Sequence, residues 1–326
     1  MLRKITAFSI VFVFVAVWMM YPAAAAVNQD LRGRIIILDA GHGLDNTNIY
    51  EGYDEQVAMF ALSQKIKPLL EARGATVLLI RPTEDDVPLP ARAAIINRWA
   101  LQAVREARQI ELSELSEEDA YRAYRLQNDI LEINRLLRIV QSIIDDPETN
   151  APVYMNTPFD YSYTRRIHPD WERIFEFESD PAIRDRFLVI SLHSNATGRP
   201  INTAQNGVES YYASNDVENN MYYYSNYSYE PYSAFFADLI LDRIDEIGIT
   251  KRKAAGYYFL MTREHNLPGA LVENGFHTNA QDRAKLSDDA FLDRLASVYA
   301  DAVLYYFVVL PDLVMSLRDP FEDVFG

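Results

Sequence analysis

Residues 35–43 read IIILDAGHG, an apolar run that ends in a histidine flanked by two glycines. A second run, FLVISLHSN over residues 187–195, ends in another histidine. Each run predicts a buried β-strand that carries a histidine at its carboxyl end. Open α/β sheets build their sites at that edge, and the chain has only five histidines. The pattern therefore indicates a metal site that contains His42 and His193.

The segments after the first strand alternate between helix and strand. Over residues 54–72 apolar side chains recur at helical spacing, with Gly74 just after them, and residues 75–80 predict another strand. A strand, a helix and a strand in this order favour a right-handed crossover with parallel pairing. The sequence thus predicts an α/β fold: a single domain with a twisted, largely parallel central sheet flanked by helices, plus an inserted helical arm.

The helical arm is predicted from two long apolar stripes. The first begins at Pro90, and the second ends at an Asp-Asp-Pro stop at residues 145–147. Two antiparallel helices, inserted over about residues 99–185, explain both stripes. Two alternatives stay open for the second stripe: it packs against the parent domain, or the arm projects or covers the site. The second stripe consists of Leu126, Ile130, Ile133, Leu137, Val140 and Ile144.

The rest of the chain is irregular until its C-terminal part. Residues 151–185 contain four prolines and predict an irregular connection, and a Tyr-rich loop is predicted over about residues 215–232. Downstream, the periodicity predicts two helices and a strand pair. The predicted bounds are 233–247 and 288–307 for the helices, and about 256–261 and 270–272 for the strands.

The composition restricts the chemistry of a metal site. The chain has no cysteine, which excludes disulfides, thiolate ligands and a cysteine nucleophile. A metal would therefore bind through His, Asp or Glu side chains. The formal net charge is -16. Such a surface repels phosphate groups, and no basic stripe offsets it, so we expect no nucleic acid partner.

The N-terminus has the pattern of an export signal. Two basic residues precede an apolar stretch over residues 5–21, and four alanines at residues 23–26 follow it. The stretch is shorter than the ~20 residues that span a bilayer comfortably, and the alanines suit a signal peptidase. We therefore expect a signal over residues 1–26, no lasting membrane anchor, and a mature catalytic domain over residues 27–326. The expected location is the periplasm, the cell wall or the extracellular space; an uncleaved anchor is the alternative.

Two acids accompany the histidines. Glu55 begins the helix that follows His42, so its carboxylate can point at the same strand end; a favourable charge at a helix N-terminus is the alternative. Glu273 follows the apolar residues 270–272, and an acid that ends a buried strand is costly unless it faces a site or a partner. Two histidines and one glutamate around a metal leave a fourth position for water, as in catalytic zinc sites. Glu273 would then remain as the base.

The combination of motifs resembles one family of enzymes. Five stretches occur in the order and phrasing of the zinc-dependent N-acetylmuramoyl-L-alanine amidases, the type 3 amidases among cell-wall hydrolases. The stretches are LDAGHG, YDEQ, LPARAAIIN, ISLHSN, and LVENGF followed by Thr278 and Asn279. The resemblance covers about residues 34–97 and 187–307, and leaves the helical arm and the Tyr-rich loop outside it.

The resemblance implies a reaction and a set of site residues. The reaction is hydrolysis of the amide bond between N-acetylmuramic acid and L-alanine of peptidoglycan stem peptides, with one zinc ion per chain. Family members can carry a helical insertion that covers the cleft until a partner removes it, which implies an autoinhibitory arm or an activator. The implied residues are His42, Glu55 and His193 for zinc, Glu273 for acid/base catalysis, and Asp39 and Asn195 for positioning of the ligands or the substrate.

The chain departs from the family phrasing at two places. Residues 44–48 replace a glycine-rich stretch, and position 277 holds a histidine instead of an aliphatic residue. We interpret His277 as a surface histidine; a substrate contact or a further polar group near the metal are the alternatives.

Two other functions stay open, a zinc peptidase that acts on the stem peptide and a non-catalytic wall-binding or regulatory protein. The complete acid and histidine set favours an enzyme, because a binding module has no use for a base beside an open metal position.

Overall fold

A computed structural model describes residues 30–44, 47–155, 168–215 and 227–317 of the chain. From Leu31 onward these residues belong to one compact unit. The predicted export signal and most of the predicted Tyr-rich loop lie outside them. Both therefore stay predictions.

The centre of the unit is a six-stranded sheet. The strands of the described residues are β1 (Ile35–Ala40), β2 (Ile49–Tyr50), β3 (Tyr53–Asp54), β4 (Thr76–Leu79), β5 (Phe187–Asn195), β6 (Val208–Tyr212), β7 (Lys251–Gly256) and β8 (Gly269–Phe276). The sheet order is β4-β1-β5-β8-β6-β7, and β2 and β3 form a separate hairpin. The first four strands of that order run parallel, whereas β6 is antiparallel to β8 and parallel to β7. The predicted α/β fold with a largely parallel sheet is confirmed.

Side chains of the central strands alternate between the two faces of the sheet. Ile36 and Leu38 of β1 pack in one apolar cluster, and Ile37 between them packs in another. β5 repeats the alternation, with Leu188 in the first cluster and Val189 in the second. Both faces are therefore covered, which explains why these strands appear in the sequence as continuous apolar runs.

Helices cover both faces of the sheet. They are α1 (Glu55–Glu71), α2 (Leu89–Glu114), α3 (Ala120–Asp145), α4 (Pro147–Tyr154), α5 (Pro169–Glu178), α6 (Pro181–Arg184), α7 (Glu230–Glu246), α8 (Leu260–Arg263), α9 (Ala280–Leu286) and α10 (Asp289–Leu317). α1, α7 and α10 contribute to the first apolar cluster, and α2, α3 and α5 contribute to the second. No helix in the described part of the chain combines the length and the apolar character of a membrane span.

The predicted helical arm is a hairpin of α2 and α3. Between the two helices, the main-chain N–H and the hydroxyl of Ser116 both donate to the carboxylate of Asp119. Ile133 and Val140 of α3 are fully buried, in the cluster that also contains Ile37 of the sheet. The buried side of the second stripe therefore packs mainly against α2 and α4, and both alternatives for the arm stay predictions.

The irregular connection predicted over residues 151–185 is wrong for most of the described residues. α4, α5 and α6 occupy this part of the chain. Each of these helices begins with a proline, and at that position the missing N–H costs no hydrogen bond. Trp171 and Ile174 of α5 are fully buried. The proline count of this segment indicates a loop. The segment is nevertheless helical, because its prolines begin the helices and an apolar face packs in the core.

The predicted strand pair is partly wrong. β8 contains residues 270–272, but β7 ends at Gly256, and the chain then enters the short α8. β7 and β8 do not pair, because β6 lies between them. β7 reads KRKAAG and is only partly buried at the sheet edge, so it lacks the apolar run by which the central strands are found. Periodicity does not reveal β6 either.

Candidate active site

The turn after β1 places His42 at the carboxyl edge of the sheet. His42 adopts a left-handed backbone conformation with a φ of 58°. Gly41 lies against the imidazole of His193, and a Cβ atom at position 41 would be 2.4 Å from Cε1 of that ring. Only glycine therefore allows the ring to approach the main chain here. The ring centroids of His42 and His193 are 5.4 Å apart.

Arg92 of α2 stabilises this turn from inside the protein. Its guanidinium donates to Asp39 Oδ1 at 2.9 Å, to the Ala40 carbonyl at 2.8 Å and to the His42 carbonyl. Asp39 is fully buried and also accepts a hydrogen bond from the Ser191 hydroxyl. Burial alone would raise the pKa of Asp39, but the Arg92 charge and the hydrogen bonds hold that pKa below its ordinary value. Asp39 therefore reaches the turn of His42 through Arg92.

Glu55, the first residue of α1, lies between the two histidines. Its Oε2 is 3.3 Å from His42 Nε2, and its Oε1 is 3.2 Å from His193 Nδ1. The Ser194 main-chain N–H donates to Oε1 at 2.8 Å, and the Asn48 amide donates to Oε2 at 2.7 Å. Burial opposes ionisation of this carboxyl, but the hydrogen bonds with the two histidines hold the pKa of Glu55 well below its ordinary range. Glu55 is thus an ionised carboxylate with each oxygen facing one imidazole.

The three predicted ligands could hold one metal ion. Each of His42, Glu55 and His193 offers a ligand atom, and these atoms lie within 4.8 Å of one another. Two imidazole nitrogens and a carboxylate oxygen are the donor types found in catalytic zinc sites. Within the described residues, Nδ1 of His42 is buried and has no hydrogen-bond partner. The side chains present therefore fit a zinc ion.

Glu273 lies beside this group. It pairs with His193 across the register of β8 and β5. Its Oε2 is buried and has no hydrogen-bond partner among the residues that the structure describes. Burial, together with the carboxylates of Glu55 and Glu209, raises the pKa of Glu273 to about 8 against the opposing effect of His193. A half-buried carboxyl with a buried, unused oxygen beside a metal-binding group is suited to proton transfer.

Glu209 is a second buried acid at this edge, and the sequence reasoning misses it. It lies opposite Glu273 in the antiparallel pairing of β6 and β8. It accepts hydrogen bonds from the Asn195 amide at 3.0 Å, the Tyr211 hydroxyl at 2.7 Å and the Arg252 guanidinium at 2.8 Å. The structure thus places Asn195 against Glu209. The signal available in the sequence is an acid within the run VESYY, which is β6.

The interpretation of His277 as a surface histidine is wrong, because this residue is fully buried. Its ring stacks on Tyr53 with 5.2 Å between the centroids, and its Nδ1 is 3.0 Å from the Ser194 hydroxyl. Burial lowers the pKa of His277. The Glu55 carboxylate opposes this shift, and His42 adds to it. His277 is therefore a further polar group near the candidate metal site, as one of the alternatives has it.

Three solved structures are similar to this chain at low sequence identity. The catalytic domain of CwlV, an N-acetylmuramoyl-L-alanine amidase from Bacillus (Paenibacillus) polymyxa var. colistinus, is 17% identical over 84% of this chain and 97% of that chain, with a TM-score of 0.46. The amidase AmiC2 of Nostoc punctiforme is 16% identical over 84% and 97%, with a TM-score of 0.48. The CwlD amidase from Clostridioides difficile, solved in complex with the GerS lipoprotein, is 16% identical over 85% and 99%, with a TM-score of 0.46.

No curated protein matches the chain significantly. A family model described as N-acetylmuramoyl-L-alanine amidase matches residues 36–104 and 182–305, more than half of the chain, and includes both histidine-bearing strands. The chain therefore belongs to the N-acetylmuramoyl-L-alanine amidase family.

Proposed function

We propose that this protein is a zinc-dependent amidase that hydrolyses the bond between N-acetylmuramic acid and L-alanine of peptidoglycan stem peptides. The observation that carries the proposal is the convergence of His42, Glu55 and His193 beside Glu273 at the carboxyl edge of the sheet. Family membership supports the amide bond as the target.

His42, Glu55 and His193 would hold the zinc ion. Zinc bound there would act as a Lewis acid on the scissile carbonyl and would lower the pKa of a water molecule towards neutrality. The chain's own contribution is to keep the three donors in place before binding. Glu55 is held by two N–H donors that do not come from the ligands, those of Ser194 and Asn48.

Glu273 would move the protons of the reaction. Its unpartnered oxygen can accept the proton of the attacking water, and the protonated carboxyl can then donate it to the leaving amine of L-alanine. The raised pKa of Glu273 supports this role, because a group that both accepts and donates a proton works best when its pKa lies near the operating pH rather than near the ordinary 4.5.

Two predicted positioning residues would act through neighbours. Asp39 would orient His42 through Arg92, which donates to the carboxylate of one and the carbonyl of the other. Asn195 would position Glu209, because its amide donates to that carboxylate. Glu209 in turn lies opposite Glu273.

Export and regulation belong to the same proposal. A peptidoglycan substrate lies outside the cytoplasm, so the predicted signal over residues 1–26 would deliver the enzyme to the periplasm, the cell wall or the extracellular space. Shielding by the helical arm, or binding of an activating partner, stays a prediction. Because Ile133 and Val140 of the second stripe are fully buried, a partner that bound this stripe would have to separate α3 from the helices that cover it.

Digestion of purified peptidoglycan tests the proposed function. Mass spectrometry of the products should show new L-alanine amino termini and stem peptides separated from intact N-acetylmuramic acid. Glu273→Gln should keep zinc but lower turnover by about 10²- to 10⁴-fold, since it removes the general base. Glu118→Gln changes an exposed acid in the α2–α3 turn in the same way and should digest at the wild-type rate. Cleavage inside the stem peptide would make the protein a peptidase, and no release at all would contradict enzymatic function.

A further inference from the structure

The Ser194 hydroxyl joins the chain segments that carry the site residues. It lies 3.0 Å from the Tyr53 hydroxyl and 3.0 Å from His277 Nδ1. Tyr53 begins the two-residue strand that leads directly into Glu55, and Ser194 follows His193. His277 comes just after β8, the strand that carries Glu273. One buried hydroxyl thus connects the ends of β3, β5 and β8.

One assignment of donors at this junction satisfies the hydroxyl protons of both Tyr53 and Ser194. A serine hydroxyl donates one hydrogen bond and accepts others. The Tyr53 hydroxyl is 3.0 Å from Ser194 Oγ, and its phenolic proton is satisfied when it donates to that oxygen. In this assignment Ser194 donates to Nδ1 of His277, which requires the neutral ring that burial favours at this position.

The main chain links the same junction to Glu55. The Ser194 N–H donates to Glu55 Oε1 at 2.8 Å, the oxygen that faces His193. The His277 N–H donates to the Asn195 carbonyl at 2.9 Å, so the next residue of β5 is held as well. The residue whose hydroxyl contacts Tyr53 and His277 thus also holds Glu55 through its main chain.

An imidazole at position 277 is costly unless its hydrogen bond matters. The side chain is fully buried, and its Nε2 has no hydrogen-bond partner in the described part of the chain. An aliphatic residue would fill comparable space without leaving a buried polar atom unpaired. The bond from Ser194 to Nδ1 is the contact that an aliphatic side chain cannot supply.

We infer that Tyr53, Ser194 and His277 form a buried junction that positions Glu55, and that His277 is a positioning residue of the metal site in this chain. The inference rests on the proposed zinc function. Groups that orient metal ligands typically change metal affinity by about 10- to 100-fold when they are removed.

Zinc affinity, measured by competition with a fluorescent chelator, tests the inference on the full chain. His277→Leu removes the acceptor for Ser194 and should weaken zinc binding by about 10-fold or more. His277→Asn keeps an oxygen that can accept the Ser194 bond near the place of Nδ1, so it should retain most of the affinity. His265→Leu is the matched control, because His265 is also buried but bonds to Met261 and Leu267 instead; it should bind zinc like the wild type.

Thermal unfolding of the metal-free variants separates a local effect from loss of the fold. If His277→Leu does not fold, Ser194→Ala removes only the hydroxyl and should weaken zinc binding by a similar factor. The double variant with both His277→Leu and Ser194→Ala should bind zinc no more weakly than the weaker of the two single variants, because both changes break the same junction. Wild-type affinity in His277→Leu, or in Ser194→Ala where the former is unfolded, overturns the inference and leaves the proposed function intact. Failure of the wild type to bind zinc overturns both.

Discussion

Gly41 decides how closely the His193 imidazole approaches the main chain of β1. An added Cβ atom would lie between 2.4 and 2.7 Å from three atoms of that ring. We therefore expect Gly41→Ala to push the ring away from Glu55 and to weaken zinc binding by about 10-fold or more, the effect typical when groups that orient metal ligands are removed. A chelator competition titration measures the effect.

Gly198→Ala is the control for this substitution. A Cβ atom at position 198 meets no other atom within 4 Å, so this variant should bind zinc like the wild type. Equal zinc affinity in Gly41→Ala and Gly198→Ala would show that the contact between position 41 and the ring does not matter.

Individual site residues are predictable where their position on a strand decides their environment. His42, His193 and Glu273 each follow an apolar run, and parallel strands bring such ends to one edge of the sheet. Glu209 and His277 are different, because their environments are made by β6 and by the β8–α9 junction meeting distant parts of the chain. Periodicity contains no information on such contacts, so a buried histidine looks like an exposed one in the sequence.

Among the secondary-structure elements, the central strands and long helices are the predictable ones. β1, β5, α1 and α3 carry apolar residues at strand or helix spacing over many positions, and the structure shows them close to the predicted bounds. β7 is partly exposed at the sheet edge, and α5 and α6 begin with proline. These elements form because neighbours pack against them, and short-range patterns do not record those neighbours.

The α2–α3 hairpin stabilises the domain through one side of α3. Leu136 is fully buried in the apolar cluster that includes the sheet residue Ile37, whereas Leu131 on the same helix is 68% exposed. We expect Leu136→Ala to lower the free energy of unfolding by about 2–5 kcal/mol, because it removes buried methyl groups and leaves a cavity.

Leu131→Ala is the matched substitution and should change the free energy of unfolding by less than about 0.5 kcal/mol. Urea denaturation of both variants measures the difference. Equal effects would mean that the side of α3 with Leu136 is not buried in solution. A large loss of unfolding free energy in Leu136→Ala alone would also show that α3 contributes to stability. Deletion of the whole arm would then have to be checked for folding before any change in activity is attributed to regulation.

The molecule as a whole is acidic, with a formal net charge of -16. One buried acid, Glu178, forms no ion pair within the residues that the structure describes. Glu178 ends α5 and is fully buried. It accepts a hydrogen bond from the Asn266 N–H at 2.6 Å, in the segment that leads into β8. Its other oxygen has no partner among the described residues. Burial raises the pKa of Glu178 from its ordinary 4.5 to about 8, although the Asn266 bond opposes this.

This shift makes the stability of the whole domain depend on pH. Between pH 4.5 and about 8 the folded protein keeps the Glu178 proton and the unfolded chain releases it, so the contribution of Glu178 to stability falls as pH rises through this window. Glu178→Gln is neutral at every pH and can still accept the Asn266 bond. The free energy of unfolding of this variant should therefore increase relative to that of the wild type as pH rises. The difference should grow by at most about 1.4 kcal/mol per pH unit.

Urea denaturation at several values between pH 5 and pH 8 measures this difference. Glu172→Gln, on the exposed side of the same helix, serves as the control, and its curve should run parallel to that of the wild type. Subtraction of the wild-type curve removes the contribution of every other titrating group, because those groups are shared by the three proteins. Parallel curves for Glu178→Gln and the wild type would mean that Glu178 is ionised in the folded protein. The packing of α5 against the segment before β8 would then have to accommodate a buried charge, which requires water or a cation at the free oxygen.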